Sequence, residues 1–264
     1  MSSQTLSEKL VHGLLRTHSL WAKLIPNIYL PYPVPGGRAY LNIKESRMML
    51  ARAVHQYEPE RHLALKAFLC SGDSMIDIGS NKGDFALLGA RLVGPQGRVL
   101  AFEPEPTNFH WLTKSIKLNH YANTTAYQIA LGESDGPGSL YLGKKSGWHT
   151  VIPDHASMGN GIIPVTIHSL DSHLRESNWN RDIRMMKIDV EGAEESVLRG
   201  ARDTIAASRD LIILLDLHPH LGADSIEVLR MLKNWGFSIY HETPPFDLPL
   251  QDHSGETQIL AKKP

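Results

Sequence analysis

Short apolar runs alternate along most of the chain with stretches whose apolar residues recur at helical spacing. Five apolar runs predict buried strands, at 74–78, 98–102, 124–130, 183–188 and 211–215. Two more strands are expected near the end of the chain, at 237–240 and 257–261. Helices are expected at 45–55, 58–69, 84–92, 108–118, 194–205 and 225–235. Apolar strands that alternate with helices are typical of a parallel sheet covered on both faces. The pattern therefore predicts an α/β fold with a doubly wound, mostly parallel sheet.

Two stretches interrupt this alternation. Residues 26–37 contain four prolines and two glycines, which mark a boundary. Ahead of it, residues 10–25 predict an amphipathic helix that packs on the domain or on a second copy of the chain, with a membrane-surface helix as the alternative. Residues 136–169 are rich in Gly, Ser and His and are expected to form a hairpin and a loop over one end of the sheet. We therefore expect an N-terminal helical extension at 1–54 and a Rossmann-like domain at 55–264 that contains this insertion.

The composition narrows the class of protein. The 264 residues carry a formal net charge of −1, which gives no electrostatic reason to expect a nucleic acid or an anionic membrane as a partner. Residues 10–25 are too few, and too interrupted by charged side chains, for a membrane span. The one cysteine, Cys70, excludes an intrachain disulfide and a cysteine-based zinc site, and it is typical of a reducing compartment. A cytoplasmic location is therefore expected.

Candidate ligand residues follow the first two strands of the predicted domain, because ligands of an open α/β sheet bind at the carboxyl ends of its strands. The first strand ends in D-I-G-S-N-K-G at 77–83, where Gly79 lets the backbone turn and Gly83 opens the next helix. This spacing lacks the middle glycine of the dinucleotide fingerprint, which disfavours a nicotinamide-dependent oxidoreductase. Glu103 lies 24 residues after Gly79, where a carboxylate can bind the two hydroxyls of a ribose. A nucleoside site that does not need a pyrophosphate indicates S-adenosylmethionine as the ligand. Asp77 is placed so that its carboxylate can stabilise the positively charged sulfonium.

Three motifs together resemble the FkbM-type methyltransferases: D-I-G-S-N-K-G at 77–83, F-E-P-E-P at 102–106 and K-I-D-V-E-G-A-E at 187–194. The resemblance runs from about residue 55 to residue 262. It implies a class I S-adenosylmethionine-dependent O-methyltransferase that acts on a hydroxyl of a small molecule or saccharide, such as a sugar, a polyketide or a glycolipid. The cofactor residues that it implies are Asp77, Gly79, Asn81 and Gly83 at the methionine end, Glu103 at the ribose, and Pro104, Asn108 and Ala130 around the adenine.

Charged side chains follow two later strands, which can be neighbours in a doubly wound sheet. Alternation places Lys187 and Asp189 on one face of the fourth strand, and Asp216 and His218 follow the fifth. An alcohol is a poor nucleophile at neutral pH and needs a base or a metal ion beside it. We favour metal-free catalysis by His218 or Asp189, with Lys187 orienting a carboxylate or lowering the pKa of the hydroxyl. The alternative is Mg²⁺ held by Asp189, Asp216 and His218.

The acceptor side is expected to involve the insertion and the region before the first strand. Trp148 and His149 suit stacking on a sugar ring, whereas a buried tryptophan that anchors the loop is the simpler interpretation. Tyr57 and Glu191 are further candidates, Tyr57 from the resemblance alone. The expected partner is a small molecule or saccharide and not a nucleic acid, with self-association through the N-terminal helix as an option. The rival functions are an N-methyltransferase of the same fold and a non-catalytic module that binds S-adenosylmethionine.

Overall fold

The computed structural model describes residues 26–45, 58–143, 147–153, 161–221, 224–250 and 258–263. The helix predicted at 10–25 with its option of self-association, most of the helix predicted at 45–55, and Tyr57 lie outside the described residues. The strands are β1 Tyr29–Val34, β2 Gly37–Asn42, β3 Ser74–Ile78, β4 Arg98–Phe102, β5 Thr124–Tyr127, β6 Ala130–Leu131, β7 Gly136–Tyr141, β8 Ile162–His168, β9 Met185–Ile188, β10 Ile212–Asp216, β11 Ser238–His241 and β12 Gln258–Lys262. The α-helices are α1 Pro59–Phe68, α2 Asp84–Val93, α3 Pro106–Leu118, α4 Leu170–Glu176, α5 Glu194–Gly200, α6 Arg202–Ala207 and α7 Ser225–Asn234.

Seven strands form the central sheet in the order β11-β12-β10-β9-β3-β4-β5. β12 runs antiparallel to both of its neighbours, whereas the pairings among β10, β9, β3, β4 and β5 are parallel. The chain enters at β3 in the interior of the sheet, proceeds to β5 at one edge, and later continues from β9 on the other side of β3. This arrangement confirms the predicted α/β fold with a doubly wound, mostly parallel sheet.

Helices cover both faces of the central sheet. One apolar cluster contains Leu87 of α2, and the other contains Leu198 of α5 and Leu232 of α7. Successive residues of one strand serve the two clusters, because their side chains point to opposite faces of the sheet. In β3, Met75 joins the first cluster and Ile76 joins the second. The strand ends are thereby held in a rigid frame, from which the loops of the site project.

The structure interrupts two elements that the apolar pattern predicts as continuous. The strand expected at 124–130 ends at Tyr127, and Ala130–Leu131 pairs with β8 in a separate three-stranded sheet. The helix expected at 194–205 breaks at Ala201 into α5 and α6. Just before this break, Gly200 approaches the second sheet so closely that an added Cβ would lie 1.9 Å from the backbone oxygen of Gly132. Both interruptions arise from tertiary contacts that local periodicity does not encode.

The described part of the expected helical extension contains a β-hairpin. Strands β1 and β2 pair antiparallel, and the turn formers that predict a boundary include Pro35 and Gly36 at the hairpin tip. A Cβ added at Gly36 would lie 2.2 Å from the backbone nitrogen of Leu88, so the tip packs directly on α2. Ala39 and Leu41 are fully buried in the same cluster as Leu87. The alternation of buried and exposed residues in β2 is the pattern that indicates a strand here, whereas the proline and glycine content indicates only a boundary.

Polar contacts attach the same hairpin to α3. Asn119, at the end of α3, accepts a hydrogen bond from the backbone N–H of Arg38 at 2.9 Å and donates one to its carbonyl at 2.7 Å. The backbone N–H of Tyr40 donates to the hydroxyl of Ser115 at 2.9 Å. Tyr29 stacks on Trp111 with ring centroids 4.3 Å apart. The hairpin is therefore an integral part of the packed domain.

The insertion forms a small sheet and a strap. β7 pairs antiparallel with β8, and β8 also pairs with β6. In the segment between β7 and β8, Thr150 forms an antiparallel bridge with Tyr141. This bridge positions the strap, defined as residues 147–152, beside the central sheet. Among the described helices, none is long and apolar enough to cross a membrane.

Candidate active site

The site lies where β3 and β9 are neighbours, at the point from which the chain proceeds in opposite directions across the sheet. Such a switch point leaves a crevice beyond the carboxyl ends of the two strands. A cavity of about 320 Å³ opens there. Most of the predicted site residues line it, namely Gly79, Asn81, Glu103, Pro104, Asn108, Ala130, Trp148, His149, Lys187, Asp189, Glu191, Asp216 and His218. Asp77 and Gly83 lie outside its lining.

The turn after β3 depends on glycine for a steric reason. Gly79 has a φ of 75°, and a Cβ added there would lie 1.9 Å from the backbone oxygen of Asp189. The ends of β3 and β9 therefore meet in a space that only a glycine fits. Gly83 also has a positive φ, of 98°, and Asn81 between them adopts a φ of 49°. The turn thereby keeps its backbone at the cavity wall.

Glu103 is held ready to accept further hydrogen bonds. Its side chain is 5% exposed, and each oxygen accepts one backbone N–H, from Asn81 at 2.8 Å and from Glu105 at 3.0 Å. Burial raises the pKa of Glu103 to about 7, against the opposing effect of these two hydrogen bonds. The side chain of Asn108 contributes a third hydrogen bond, and because a carboxylate has about four lone-pair positions, Glu103 retains capacity for a further donor. Pro104, Asn108 and Ala130 line the same cavity.

Lys187 joins the two central strand ends electrostatically. Its side chain is 2% exposed, and its Nζ lies 3.0 Å from the backbone oxygen of Gly79, 3.2 Å from Oδ2 of Asp189 and 3.7 Å from Oδ1 of Asp77. Burial lowers the pKa of Lys187, but the two carboxylates outweigh it and raise the net value. Burial likewise raises the pKa of Asp189, yet Lys187, Arg61 and His218 outweigh it and hold the pKa below its usual value. The pair is therefore ionised at neutral pH.

His218 is held by a carboxylate behind it and faces two more. Its Nδ1 lies 2.7 Å from Oε1 of Glu194, whereas its Nε2 lies 3.5 Å from Oε2 of Glu191 and 3.8 Å from Oδ1 of Asp189. Burial lowers the pKa of His218, but the hydrogen bond with Glu194 and the nearby negative charges raise it to about 9. Burial raises the pKa of Glu191 to about 7, against the effect of His218. At neutral pH both ring nitrogens of His218 therefore carry a proton, and the imidazole is positively charged.

Arg61 and Glu194 support this cluster from behind; Glu194 is the last residue of the third sequence motif, whereas no motif contains Arg61. Arg61 is fully buried, and its Nε donates to Glu242 at 2.9 Å while its Nη1 lies 3.5 Å from Asp216 and 3.7 Å from Glu58. In α1 a fully buried Arg61 shares the apolar face of Leu65, four residues later, and a charged side chain on such a face signals a buried partner. That spacing was available in the sequence.

The strap closes one side of the cavity. Thr150 donates a hydrogen bond to the backbone oxygen of Glu191 at 2.6 Å. A Cβ added at Gly147 would lie 3.4 Å from Nδ2 of Asn81, so the strap reaches the glycine turn. Trp148 lines the cavity while 45% of it stays exposed, which contradicts a buried loop anchor. The strap therefore brings the Trp148 ring to the same cavity as the Glu191 carboxylate.

The donor set is poorly suited to Mg²⁺. Ligand atoms of Asp189, Asp216 and His218 lie within 4.8 Å of one another. Lys187 and Arg61, however, already supply positive charge to Asp189 and Asp216, at 3.2 and 3.5 Å. A protonated imidazole has no lone pair to offer a metal ion. We therefore derive no chemical step through a metal.

Comparison with known proteins identifies the family. Residues 77–239 match the model of the methyltransferase FkbM domain. Methyltransferase 1 of Beauveria bassiana is 28% identical over 194 residues, covering 66% of this chain and 76% of that protein. The hexuronic acid methyltransferase AglP of Haloferax volcanii is 27% identical over 164 residues, covering 61% of each chain. The crystal structure of methyltransferase FkbM from Methylobacillus flagellatus matches with a TM-score of 0.48 and 15% identity, covering 95% of this chain and 59% of that one.

The family match spans more than half of the chain and includes the glycine turn, Glu103 and the cluster around Lys187 and His218. The chain belongs to the FkbM methyltransferase family.

Proposed function

We propose that this chain transfers a methyl group from S-adenosylmethionine to a hydroxyl oxygen of a small molecule or saccharide. The observation that carries the proposal is the shared cavity, which is lined both by Glu103 and by Lys187, Asp189 and His218. Glu103 is suited to a ribose, and the other three groups are suited to orienting a hydroxyl and receiving its proton. The hydroxyl as acceptor, in preference to an amine nitrogen, is our extension of the family assignment.

The residues present fit the cofactor. Each oxygen of Glu103 accepts one backbone N–H, the Asn108 side chain supplies a third hydrogen bond, and the remaining capacity of the carboxylate suits a ribose hydroxyl. The turn at Gly79 and Gly83 exposes backbone that can approach the methionine part closely. The carboxylate of Asp77 is the group proposed to favour a sulfonium nearby. Bound there, S-adenosylmethionine supplies an electrophilic methyl group, and Asn81, Pro104, Asn108 and Ala130 complete its proposed contacts.

The protein must then orient the acceptor hydroxyl and remove its proton. The bound cofactor would supply a methyl carbon to the acceptor oxygen, and the electron pair of the broken carbon–sulfur bond would stay on sulfur. The hydroxyl proton passes to the protein. Nε2 of His218 is the proposed recipient, because Glu194 holds Nδ1 and leaves Nε2 facing the cavity carboxylates. Lys187 keeps Asp189 ionised beside it, and Asp189 is the alternative base.

The protonation of His218 in the free cavity has to be reconciled with this role. An imidazole whose pKa is about 9 holds its proton at neutral pH and cannot accept another. A positive charge brought into the cavity lowers the pKa of a neighbouring imidazolium. Binding of the cofactor would therefore lower the pKa of His218 from about 9, which favours the neutral imidazole that can accept a proton.

The acceptor is proposed to meet the strap. Trp148 offers an exposed ring face for stacking on a sugar, and Glu191 and His149 line the cavity beside it. AglP is named for a hexuronic acid, which supports a saccharide as the acceptor class. Tyr57 stays a prediction for this side of the site. A reducing, cytoplasmic setting also stays a prediction and agrees with the free thiol of Cys70.

Isothermal titration with S-adenosylmethionine tests the cofactor assignment. We expect Glu103→Ala to weaken binding by roughly 10- to 100-fold, as is typical for loss of hydrogen bonds to a charged group. Glu133→Gln is the matched control, because Glu133 is exposed and does not line the cavity. Equal affinities of wild type and Glu103→Ala would overturn the assignment.

Transfer of labelled methyl groups tests the reaction. His218→Gln and Asp189→Asn should retain cofactor affinity and lose turnover by at least about 100-fold, since general acid–base catalysis contributes about that much. The methylated product should carry an ether carbon by nuclear magnetic resonance. A methyl group on nitrogen would show the rival N-methyltransferase, and wild-type turnover in both variants would remove their catalytic roles.

A further inference from the structure

We infer that Thr150 is a positioning residue for the proposed methyl transfer: it holds the turn that fixes Glu194, and Glu194 orients His218. The inference rests on the proposed function, in which His218 receives the proton of the acceptor hydroxyl. Thr150 belongs to the strap but does not line the cavity, so it acts on the reaction only through other residues. The turn that it holds, residues 191–192, directly follows the end of β9.

Thr150 is itself held in place by hydrogen bonds. Its backbone N–H donates to the carbonyl of Tyr141 at 3.1 Å, and its carbonyl accepts the N–H of Tyr141 at 2.8 Å. Its buried hydroxyl donates to the backbone oxygen of Glu191 at 2.6 Å and accepts the backbone N–H of Ile152 at 3.2 Å. The strap is therefore tied to the turn after β9 by a hydroxyl whose position is fixed on both sides.

The turn after β9 has a backbone conformation that needs support from outside. Glu191 has a φ of 51° and Gly192 a φ of 103°. For a residue with a Cβ this conformation is unfavourable, and it persists where surrounding contacts impose it. A Cβ added at Gly192 would lie 3.1 Å from the backbone oxygen of Leu221 and 3.6 Å from the side chain of Ile152. The turn thus lies between the strap and the segment after β10, and the hydroxyl of Thr150 holds its carbonyl.

The same turn fixes the carboxylate behind the imidazole. The backbone N–H of Gly192 donates to Oε1 of Glu194 at 3.0 Å, and that oxygen lies 2.7 Å from Nδ1 of His218. Glu194 is fully buried, and its Oε2 has no hydrogen-bond partner among the described residues. These two contacts therefore set the orientation of the carboxylate. A turn that relaxed would withdraw the N–H of Gly192 and let the carboxylate rotate away from the ring.

Other carboxylates also face the ring of His218, and the test has to separate them from this route. Nε2 lies 3.5 Å from Oε2 of Glu191 and 3.8 Å from Oδ1 of Asp189. At the end of β10, Asp216 has an oxygen within 4.8 Å of a ring nitrogen. A disturbed turn could reach the imidazole through Glu191 as well as through Glu194, so a variant that lacks the Glu194 carboxylate distinguishes the two routes.

The pKa of His218, measured by nuclear magnetic resonance on the full chain without ligand, tests the inference. The signal is assigned as the one that disappears in His218→Gln. Thr150→Val removes the hydroxyl and nearly keeps the shape, so the proton affinity of His218 should fall by about 3- to 10-fold from the wild-type pKa of about 9. Thr150→Ser keeps the hydroxyl and should retain the wild-type value.

The matched control is Thr166→Val, because Thr166 is exposed in β8 and does not line the cavity. It should leave the pKa of His218 unchanged. If Thr150→Val fails to fold, Thr150→Ala takes its place and is compared with Thr150→Ser in the same way. A pKa that stays at the wild-type value when the hydroxyl is removed would overturn the inference.

A double-mutant cycle tests the route. In the Glu194→Gln background, Thr150→Val should leave the pKa of His218 unchanged, because the carboxylate through which Thr150 acts is gone. An equal shift in both backgrounds would show that Thr150 acts through Glu191 or through general loosening of the site, and it would overturn the inference.

Turnover separates this inference from the proposed function. In labelled methyl transfer, Thr150→Val should lower kcat by about 3- to 10-fold and keep the KM for S-adenosylmethionine, because no group that lines the cavity is removed. A wild type that transfers no label would overturn the proposed function and the role of Thr150 in it. A wild type that transfers label, beside a Thr150→Val variant with unchanged pKa and kcat, would overturn the inference alone.

Discussion

Nδ1 of His218 lies 2.7 Å from Oε1 of Glu194, and the Glu194 side chain is fully buried. The same oxygen accepts the backbone N–H of Gly192 at 3.0 Å, so the carboxylate is fixed at the start of α5. Glu194 does not line the cavity, whereas His218 does. The carboxylate therefore acts on the site through the imidazole, by fixing which ring nitrogen faces the cavity and by stabilising its positive charge.

Replacing Glu194 by Gln should lower the pKa of His218 by at least roughly one pH unit, because a hydrogen bond to a charged partner is lost. Nuclear magnetic resonance titration of the histidine ring measures this value, which is about 9 in the wild type. Glu195→Gln is the matched control, since Glu195 pairs with Arg199. An unchanged pKa in Glu194→Gln would show that Glu194 has no electrostatic role.

Stability should fall as the pH rises from about 6.5 to 9. The pKa of His218 rises from its ordinary value of 6.5 to about 9 on folding, so the native state binds more protons than the unfolded state across this window. The free energy of unfolding decreases with pH wherever that is so. The contribution of His218 is complete below 6.5 and is lost through 9. Thermal unfolding at several pH values should show this slope, and His218→Gln should flatten it; a rising slope in the wild type would contradict the assignment.

Cofactor affinity should fall by about tenfold between pH 8 and pH 6. The pKa of Glu103 is about 7, and a protonated carboxyl loses acceptor capacity for the ribose hydroxyls. Titration calorimetry with S-adenosylhomocysteine at both pH values measures the effect. Glu103→Gln should bind more weakly and lose the pH dependence, whereas Glu191→Gln should keep it. A slope that survives in Glu103→Gln would point to another group.

Gly79→Ala should destabilise the protein far more than Gly72→Ala. Both glycines have a positive φ, of 75° and 96°, so alanine costs about 1–2 kcal/mol at either position from backbone strain. Only at Gly79 would the new Cβ also meet the backbone oxygen of Asp189, at 1.9 Å, whereas nothing lies within 4 Å at Gly72. Urea unfolding of both variants separates the two effects. Equal losses would show that β3 and β9 are less closely apposed than described.

Removal of divalent ions should leave turnover unchanged. Lys187 and Arg61 already place positive charge beside Asp189 and Asp216, at 3.2 and 3.5 Å. Methyl transfer measured with 5 mM EDTA, and again with excess Mg²⁺, should give the same rate. Activity lost with EDTA and restored by Mg²⁺ would establish the alternative metal site at Asp189, Asp216 and His218.

The strands that carry the site were predictable because they are buried on both faces. The runs at 74–78 and 98–102 match β3 and β4 residue for residue. Since the carboxyl ends of parallel strands meet at one edge, the residues that follow such runs could be grouped before their contacts were known. That reasoning brought Gly79, Glu103 and Asp189 together.

The supporting layer was not predictable from local pattern. Arg61 and Glu242 are separated by 181 positions, and their pairing depends on how α1 lies relative to the residue that follows β11. The orientation of Glu194 depends on a turn in which Glu191 and Gly192 both have positive φ, at 51° and 103°. For an ordinary residue such as Glu191 this backbone conformation is uncommon and is imposed by surrounding contacts. Neither the Arg61–Glu242 pair nor the backbone conformation of this turn is encoded in composition or residue spacing.

The docking of the N-terminal hairpin limits how the protein can be shortened or recombined. A chain that began at residue 55 would lack Ala39 and Leu41 and would open a void beside Leu87. It would also remove the hairpin backbone groups that Ser115 and Asn119 hydrogen-bond. Chimeras that exchange catalytic units between relatives therefore need a junction ahead of Tyr29, because the hairpin and α2 share one interior.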